Sequence, residues 1–303
     1  MLLNPLYYTE QHLAFAESVR RFTEKEISPF ITEWDEAETF PRELYKKAAD
    51  IGLLGVGFDE NYGGIAGTDA FYTLLASVEL AKCASGGLAA SLLSHTIGTP
   101  PIQHFAQEEV KAEVLPQILS GEKISALAIT EPSGGSDVAA LKTKAVRDGD
   151  DYIVSGEKTF ITSGIRADYY SVAVRTDPNA KGANGISMLL IDAHSEGITK
   201  SKLDKMGWWA SDTAHLHFDS VRVPAKNLLG AENMGFFVIM NNFNMERFFL
   251  AASSYGYALV CYEEALDWAK QRQTFGKRLI DHQVVRHKLV DMATRLTSTR
   301  ALL

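Results

Sequence analysis

The sequence predicts an α+β fold in three parts: an all-α domain over residues 1–122, an antiparallel β-domain over 123–232, and an α-helical bundle from 233 that is incomplete at residue 303. Three observations carry this reading. Apolar residues recur at helical spacing as far as Leu119, and after Gly121 the pattern changes to short segments rich in β-branched and aromatic residues. Beyond Pro224 the helical period returns. A chain of 303 residues suits two packed domains or three small ones, at about 150 residues per domain.

The first helical region begins near Thr9, an N-cap followed by acidic Glu10, and Phe15, Val19, Phe22 and Phe30 keep helical spacing to about Trp34. Pro41 opens a second helix that Gly52 closes. Asp69 caps a third, in which Phe71, Leu74, Leu75 and Val78 line one face. Two further stretches, 87–96 and 102–119, are separated by Pro100 and Pro101.

Strands are predicted at 125–130, 142–147, 152–162, 169–176, 186–191 and 213–223. Asp148, Gly149 and Asp150 form a hairpin tip, and Pro178, Asn179 and Gly182 mark a loop. No segment between the strands can hold the helix of a βαβ crossover, which argues against a doubly wound nucleotide-binding sheet. From Met234 a helix runs to Ala269, RQTFGK at 272–277 breaks it, and a last helix is still amphipathic at Leu303. The lack of a helix stop signal there predicts further sequence. Within these helices Cys261 is expected in the core and Tyr262 at the surface.

Apolar residues make up 46% and charged residues 22%, which excludes disordered, collagenous and low-complexity classes. At this size about three quarters of the unfolded surface can be buried, so neither disulfides nor a structural metal is needed. Cys83 and Cys261 form no CxxC pair, which fits a reducing compartment and gives no zinc motif. The net charge is −8 with no dense Lys/Arg block, which argues against nucleic acid and leaves small molecules or proteins as partners. The opening MLLNPLYYTE lacks the features of a signal peptide, and no apolar run reaches the ~18 residues of a membrane span. A soluble, intracellular protein is expected.

Several common chemistries lack their signatures, since the chain has no GxGxxG, P-loop, HExxH or GxSxG. His215 and His217 stand at strand spacing, but two ligands are too few for a metal site, and they read as surface or interface residues. Two segments of the β-domain stand out. LAITEPSGGSD at 127–137 is a strand running into a loop of small residues, where a ligand can approach the backbone and an anion can take its N–H groups. GEKTFITSG at 156–164 puts Phe160 and Thr162 on one face of a strand, an aromatic surface beside a hydroxyl. Each segment alone reads more readily as a tight turn or an ordinary half-buried strand.

Together, and in this order between two helical regions, these segments resemble the acyl-CoA dehydrogenase family. TEPSGGSD is similar to the family's signature around its flavin, and KTFITSG to its second flavin strand. RQTFGK, followed by His282 and Gln283, resembles a third signature that reaches the FAD of a neighbouring subunit. The resemblance covers essentially the whole chain. It implies that Leu127, Ile129 and Thr130 lie along the flavin ring, with the Thr130 hydroxyl near its pyrimidine side. Gly135 and Ser136 sit near the pyrophosphate, and Ser136 also faces the acyl-CoA. Phe160 stacks on the isoalloxazine where many members have Trp, Ile161 belongs to the same cofactor strand, and Thr162 hydrogen-bonds near the flavin N5. Arg272 and Gln283 contact FAD across a subunit interface, which implies a homo-oligomer, a dimer or tetramer. Pro224 matches the proline that ends the β-domain.

The implied reaction takes a proton from the α-carbon of an acyl-CoA and a hydride from the β-carbon, giving a trans-2-enoyl-CoA, and passes the electrons to an electron-transfer flavoprotein. Such chemistry needs a base on one side of the substrate and the flavin N5 on the other. It also needs donors for the developing enolate, implied here to be a backbone N–H and the ribityl hydroxyl. Many members carry the catalytic glutamate near the C-terminus, in a segment outside these residues. Another group, similar to isovaleryl-CoA and long-chain acyl-CoA dehydrogenases, carries it directly before an arginine on the first long helix of the C-terminal domain.

FNMERFFLA at 243–251 matches that second arrangement, with Glu246 as the base before Arg247. Helical spacing supports the choice independently. Phe243, Phe249 and Leu250 lie three or four residues away and Ile239 two turns back, so the carboxylate projects onto an apolar face. Burial there is expected to raise its pKa and improve it as a base. Without the resemblance, a glutamate paired with a nearby cation explains the same pattern. Asn244 and Arg247 are carried over as substrate-side residues.

The resemblance implies a cytoplasmic enzyme in a bacterium, or one of the mitochondrial matrix in a eukaryote. Two other readings stay open. A flavin oxidase or monooxygenase on the same fold is distinguished by oxygen consumption without an added acceptor, and a non-catalytic chain by acyl-CoA binding without flavin.

Overall fold

The computed structural model describes residues 7–303. Along the chain, α1 (Glu10–Phe22) starts at Thr9, whose hydroxyl accepts the His12 N–H while the His12 ring accepts the Thr9 N–H at 3.0 Å. This is a capping box with histidine in place of the usual glutamate. A π-turn and a 3-10 turn lead into α2 (Ile31–Glu36), and α3 (Glu43–Asp50) is followed by Gly52 at φ +78°. Then come α4 (Ala70–Ala81), α5 (Gly86–Leu92), α6 (His95–Gly98), α7 (Pro100–Phe105) and α8 (Glu108–Leu119). Pro100 and Pro101 stand at a helix boundary as expected, with the break at Thr99 between α6 and α7. They form the first turn of α7, where a missing N–H carries no penalty. A second break, inside the stretch expected to run unbroken over 102–119, falls at Ala106 and Gln107, both extended. Helix α4 is buried at Leu74 through Ser77 and again at Glu79 through Ala81, so most of its circumference is covered and not one face alone.

The strands are β1 (Ser125–Ala128), β2 (Lys144–Asp148), β3 (Asp151–Thr162), β4 (Tyr169–Arg175), β5 (Ile186–Asp192), β6 (Ile198–Lys202) and β7 (Thr213–Pro224). They form one sheet in the order β1-β4-β2-β3-β7-β6, with β5 also on β4. Gly149 at φ +60° turns the β2–β3 hairpin at the expected tip. Two features differ from expectation. Strand β1 pairs parallel with β4, from Ser125↔Tyr169 to Ala128↔Val172, so the sheet is mixed. The β2–β3 hairpin makes the crossover that a helix makes in a βαβ unit. Strand β6 was not foreseen, because Ile-Thr-Lys-Ser-Lys is an edge strand on β7 that carries one apolar side chain and buries none of its residues fully.

After Pro224 come α9 (Gly235–Gln271), the two-residue strands β8 (Gln273–Thr274) and β9 (Lys277–Arg278), and α10 (Gln283–Leu302). Cys261 is exposed on α9, contrary to expectation, while Tyr262 is half-buried; the helix buries Ala252, Tyr255 and Ala269 instead. No helix among the described residues is long and apolar enough to cross a membrane.

The chain divides into two compact units. One holds the described residues up to Pro29 together with Ala70–Gly86 and Arg247–Leu303, and within it the Arg20 guanidinium bonds Glu79 on α4 at 3.0 Å. The other holds Phe30–Asp69 and Gly87–Glu246, and so contains the whole sheet and the first turns of α9. Its core joins Ile102, Val114 and Ile118 of α7 and α8 to Ile129 after β1, to Met188 and Leu190 of β5, and to Val238 and Ile239 of α9. Helix α6 lies hard against β1. A Cβ on Gly98 would come within 2.9 Å of the Ala126 nitrogen, and Ser171 on β4 donates its hydroxyl to the Gly98 carbonyl at 2.7 Å.

His95, the first residue of α6, is 2% exposed, and neither ring nitrogen has a hydrogen-bond partner. Burial pushes its pKa from 6.5 down to about 4, and the nearby carbonyls of Leu92 and Leu54 oppose this without overcoming it. The unfolded chain therefore takes up a proton that the folded one refuses. Stability is whole above the unfolded value of 6.5 and falls as the pH drops towards 4. The loss is on the order of 3 kcal/mol. His95→Leu is expected to flatten this part of the profile, so that melting temperature falls less than in the wild type between about pH 7 and 4.5. Parallel curves for the two proteins would show that His95 is not the linked group.

Candidate active site

Past β1 the chain reaches Ile129 and Thr130 and then an exposed loop over 132–137. Glu131 stays behind and is 5% exposed. Its carboxylate accepts the N–H groups of Lys142 at 2.6 Å and Thr143 at 2.8 Å, and the ammonium of Lys158 at 2.9 Å. Lys158 is wholly buried on β3 and donates also to the Ile129 carbonyl at 2.9 Å. The next N–H, of Thr159, bonds the Thr130 carbonyl at 2.9 Å. One ion pair thus fastens the end of β1, the entry to β2 and the middle of β3.

The charges of this pair depend on each other. Burial drives the Lys158 pKa down to about 8, against the pull of Glu131. Burial pushes Glu131 up, but the Lys158 charge and the three donors outweigh it and hold the carboxyl below its usual range.

The pair also shapes β3. Lys158 and Thr159 are buried in succession, the register with β7 shifts between Lys158 and Ile161, and Phe160 takes φ +59° with its side chain 70% exposed. Phe160 therefore reaches solvent through a bulge and not through the simple alternation expected of it. Ile161 is buried and Thr162 half-buried. Ser163, also left-handed at φ +59°, donates its N–H to the Asp212 carbonyl at 2.9 Å, and its hydroxyl pairs with that of Ser91 at 2.8 Å.

Two carboxylates pin the turn that follows. Asp212 accepts Ile165 N–H and Arg166 Nε, each at 2.7 Å, and the Arg166 guanidinium lies 4.2 Å from the centre of the Phe40 ring. Asp168 accepts the Ile124 N–H at 2.8 Å and pairs with Arg42.

Gly135 folds back on Thr130: a Cβ there would meet Thr130 Cγ2 at 3.0 Å, whereas one on Gly134 would meet nothing within 4 Å. The structure therefore brings together an outward-facing aromatic ring, the half-buried Leu127, Thr130 and Thr162, buried Ile129, and the exposed Gly135 and Ser136. A planar aromatic group carrying an anionic chain fits this arrangement, with the ring against Phe160 and the anion on the open loop backbone.

Helix α9 contributes a carboxylate. Asn242, 5% exposed, donates from Nδ2 to the Ile97 carbonyl at 2.9 Å and to Glu246 Oε1 at 2.6 Å. Of the apolar neighbours expected around Glu246, Ile239 is buried and Phe243 and Phe249 are half-buried, but Leu250 is 53% exposed, so the apolar face narrows beyond Glu246. Asn244 is exposed and stands about 200° round the helix from Glu246, so the two do not share a face. Arg247 is exposed. Arg272 and Gln283 belong to the other unit, both exposed, on either side of the β8–β9 hairpin whose tip is the 97% exposed Phe275. His215 is half-buried, and His217 is exposed beside Glu157.

Residues 9–122 match the N-terminal domain of acyl-CoA dehydrogenases, 126–221 the middle domain and 233–303 the C-terminal domain. The chain belongs to the acyl-CoA dehydrogenase family. It is 38% identical to an acyl-CoA dehydrogenase of Bacillus subtilis, over 98% of this chain and 78% of that one. It is also 38% identical to the mitochondrial long-chain specific acyl-CoA dehydrogenase of Sus scrofa, over 97% of this chain and 68% of that one. A crystal structure of a probable acyl-CoA dehydrogenase from Mycobacterium abscessus superposes with a TM-score of 0.93 at 44% identity, covering 97% of this chain and 79% of that one. The predicted order of helical, β and helical domains is the architecture of this family.

Sequence reasoning passed over Glu131, Lys158 and Asn242. A signal for Lys158 was present. It shares strand parity with the inward residues Tyr152 and Val154, so a buried lysine, and hence a buried partner, could have been inferred.

Glu131→Gln leaves Lys158 buried without its counter-charge, and is expected to lower stability at neutral pH by about 3–5 kcal/mol. Because the folded Glu131 pKa lies below the ordinary 4.5, its contribution is whole above that value and vanishes as the pH falls through the folded one. Denaturant melts should show the gap between the two proteins narrowing on acidification. Equal stability at pH 7 would remove the pair from its role as the fastener.

Proposed function

We propose that this acyl-CoA dehydrogenase removes the α-proton of its substrate with Glu246, forms a trans-2-enoyl-CoA, and hands the electrons to an electron-transfer flavoprotein. The observation that carries the reading is the half-buried Glu246 carboxylate, held at a defined orientation by Asn242. FAD, when bound, supplies the hydride acceptor.

The chain's own residues supply the positioning. Leu127, Ile129, Thr130, Phe160 and Ile161 would hold the cofactor's ring, with Phe160 offering the aromatic face, and Thr162 would offer a hydroxyl donor beside it. Gly135 and Ser136 give the cofactor's pyrophosphate an open backbone, with Ser136 also toward the acyl-CoA. On the proton side Glu246 takes the α-proton, and Arg247 stands toward the substrate. Asn244, exposed on another face of the helix, serves the substrate away from its α-carbon. Arg272 and Gln283 serve the cofactor of a second copy, so the working protein is a homo-oligomer. The segments 1–122, 123–232 and 233–303 act as its three domains, in the cytoplasm of a bacterium or the mitochondrial matrix of a eukaryote. A glutamate at 246 favours long-chain or branched acyl groups, which a turnover screen across straight, branched and aromatic acyl-CoAs with an artificial acceptor resolves.

Glu246→Gln keeps the side-chain shape and removes the basic oxygen. FAD content should be unchanged while flavin bleaching by acyl-CoA in stopped flow slows roughly 10²–10⁴-fold. Bleaching at the wild-type rate would place the base elsewhere. Arg272→Ala should weaken FAD retention through loss of a charge-assisted hydrogen bond worth roughly 1.5–3 kcal/mol. A fully flavinated monomer in solution would contradict the shared cofactor site.

A further inference from the structure

Asn242 lies one helical turn before Glu246 on the same face of α9 and is almost wholly buried. Its amide nitrogen carries two N–H donors, and both are used on groups that only accept, the Ile97 carbonyl and the Glu246 carboxylate. Turning the amide over would set its oxygen against two other oxygens. Only one orientation is therefore tolerated.

The first of these acceptors belongs to the scaffold on which the sheet is built. Ile97 is part of α6, whose next residue, Gly98, is pressed against Ala126 of β1 and accepts the Ser171 hydroxyl. The amide is thus referenced to β1 through α6, and it transmits that reference to the glutamate. A glutamate side chain left to itself has much rotamer freedom to lose.

We propose that Asn242 is the positioning residue of Glu246, holding its carboxylate at Oε1 in the orientation that meets the α-proton. This rests on the reading of Glu246 as the base. In the step, the α-carbon–hydrogen bond breaks, the proton passes to Glu246, and the electron pair remains on the substrate as the enolate of the thioester. Asn242 keeps both of its hydrogens throughout. Placement is what the hydrogen bond contributes, since a misplacement of about 1 Å costs about 10²-fold in rate.

The test isolates proton removal from electron transfer. In 3-thiaoctanoyl-CoA a sulfur replaces the β-methylene, so no hydride can leave, and exchange of its α-hydrogens with D2O, followed by NMR, reports the base alone. The full chain loaded with FAD is compared as wild type, Glu246→Gln, Asn242→Leu and Asn242→Gln. Glu246→Gln should abolish exchange. Asn242→Leu should slow it roughly 10–100-fold with the affinity for the analogue unchanged. Asn242→Gln, which keeps a donor on a longer arm, should recover part of the rate. Wild-type exchange in Asn242→Leu beside a silent Glu246→Gln overturns the role of Asn242 alone. Wild-type exchange in Glu246→Gln overturns both readings. If Asn242→Leu loses affinity and rate by the same factor and the glutamine variant is no better, Asn242 serves only the local fold and the proposal falls.

Discussion

The buried pair of Lys158 and Glu131 is the constraint on which the β-domain half of the candidate site depends. As a source of stability it is inefficient, because moving two charges out of water consumes most of what their attraction returns. Its value is geometric. Lys158 reaches both Glu131 and the Ile129 carbonyl, Glu131 holds the two N–H groups that lead into β2, and Thr159 closes on Thr130. An apolar pair of the same volume would fill the space without joining three backbones. With the pair in place, two consecutive residues of β3 are turned inward, and Phe160 is displaced outward in a left-handed conformation that a bulky side chain rarely adopts.

The helical segments hold this strand from its other end. Asp212 and Asp168 anchor the turn after β3 to Arg166, to backbone N–H groups and to Arg42, and Ser91 on α5 meets Ser163. Burial alone would raise the pKa of Asp168, but the Ile124 N–H and Arg42 keep it below its usual range, so the anchor stays charged at neutral pH. Phe160 is therefore fixed between an ion pair on its N-terminal side and a carboxylate-bound turn on its C-terminal side. An aromatic surface meant to stack on a ligand gains from such fixing, since little ordering remains to be done on binding.

Much of this was readable in the sequence, and the failures have physical causes. Helices and strands followed from period, because burial on one side writes itself into spacing, and the family followed from resemblance. Strand order did not: the parallel β1–β4 pairing depends on which strands meet across the sheet, which leaves no local trace. Edge strand β6 was missed because an edge needs few apolar side chains. Cys261 was placed inside on chemical type alone, although α9 turns that position outward. Lys158 shows the opposite error, a charge whose strand parity declared it buried and which composition habits assign to the surface.

The two sides of the proposed chemistry meet in β1. On one side β1 runs into Ile129, Thr130 and the Glu131 clamp. On the other, α6 packs on Ala126 and presents the Ile97 carbonyl to Asn242, and through it to Glu246. Ile129 and Ile239, one from each side, belong to the same apolar core. A reaction that takes a proton and a hydride from adjacent carbons needs its two acceptors held at a fixed separation, and side chains on independent loops would let that separation drift. Here the residues proposed for both are referenced to one strand, on the Glu246 side through an α6–β1 contact too close to admit even a methyl group at Gly98. A change at Gly98 would therefore be felt at the carboxylate without touching it.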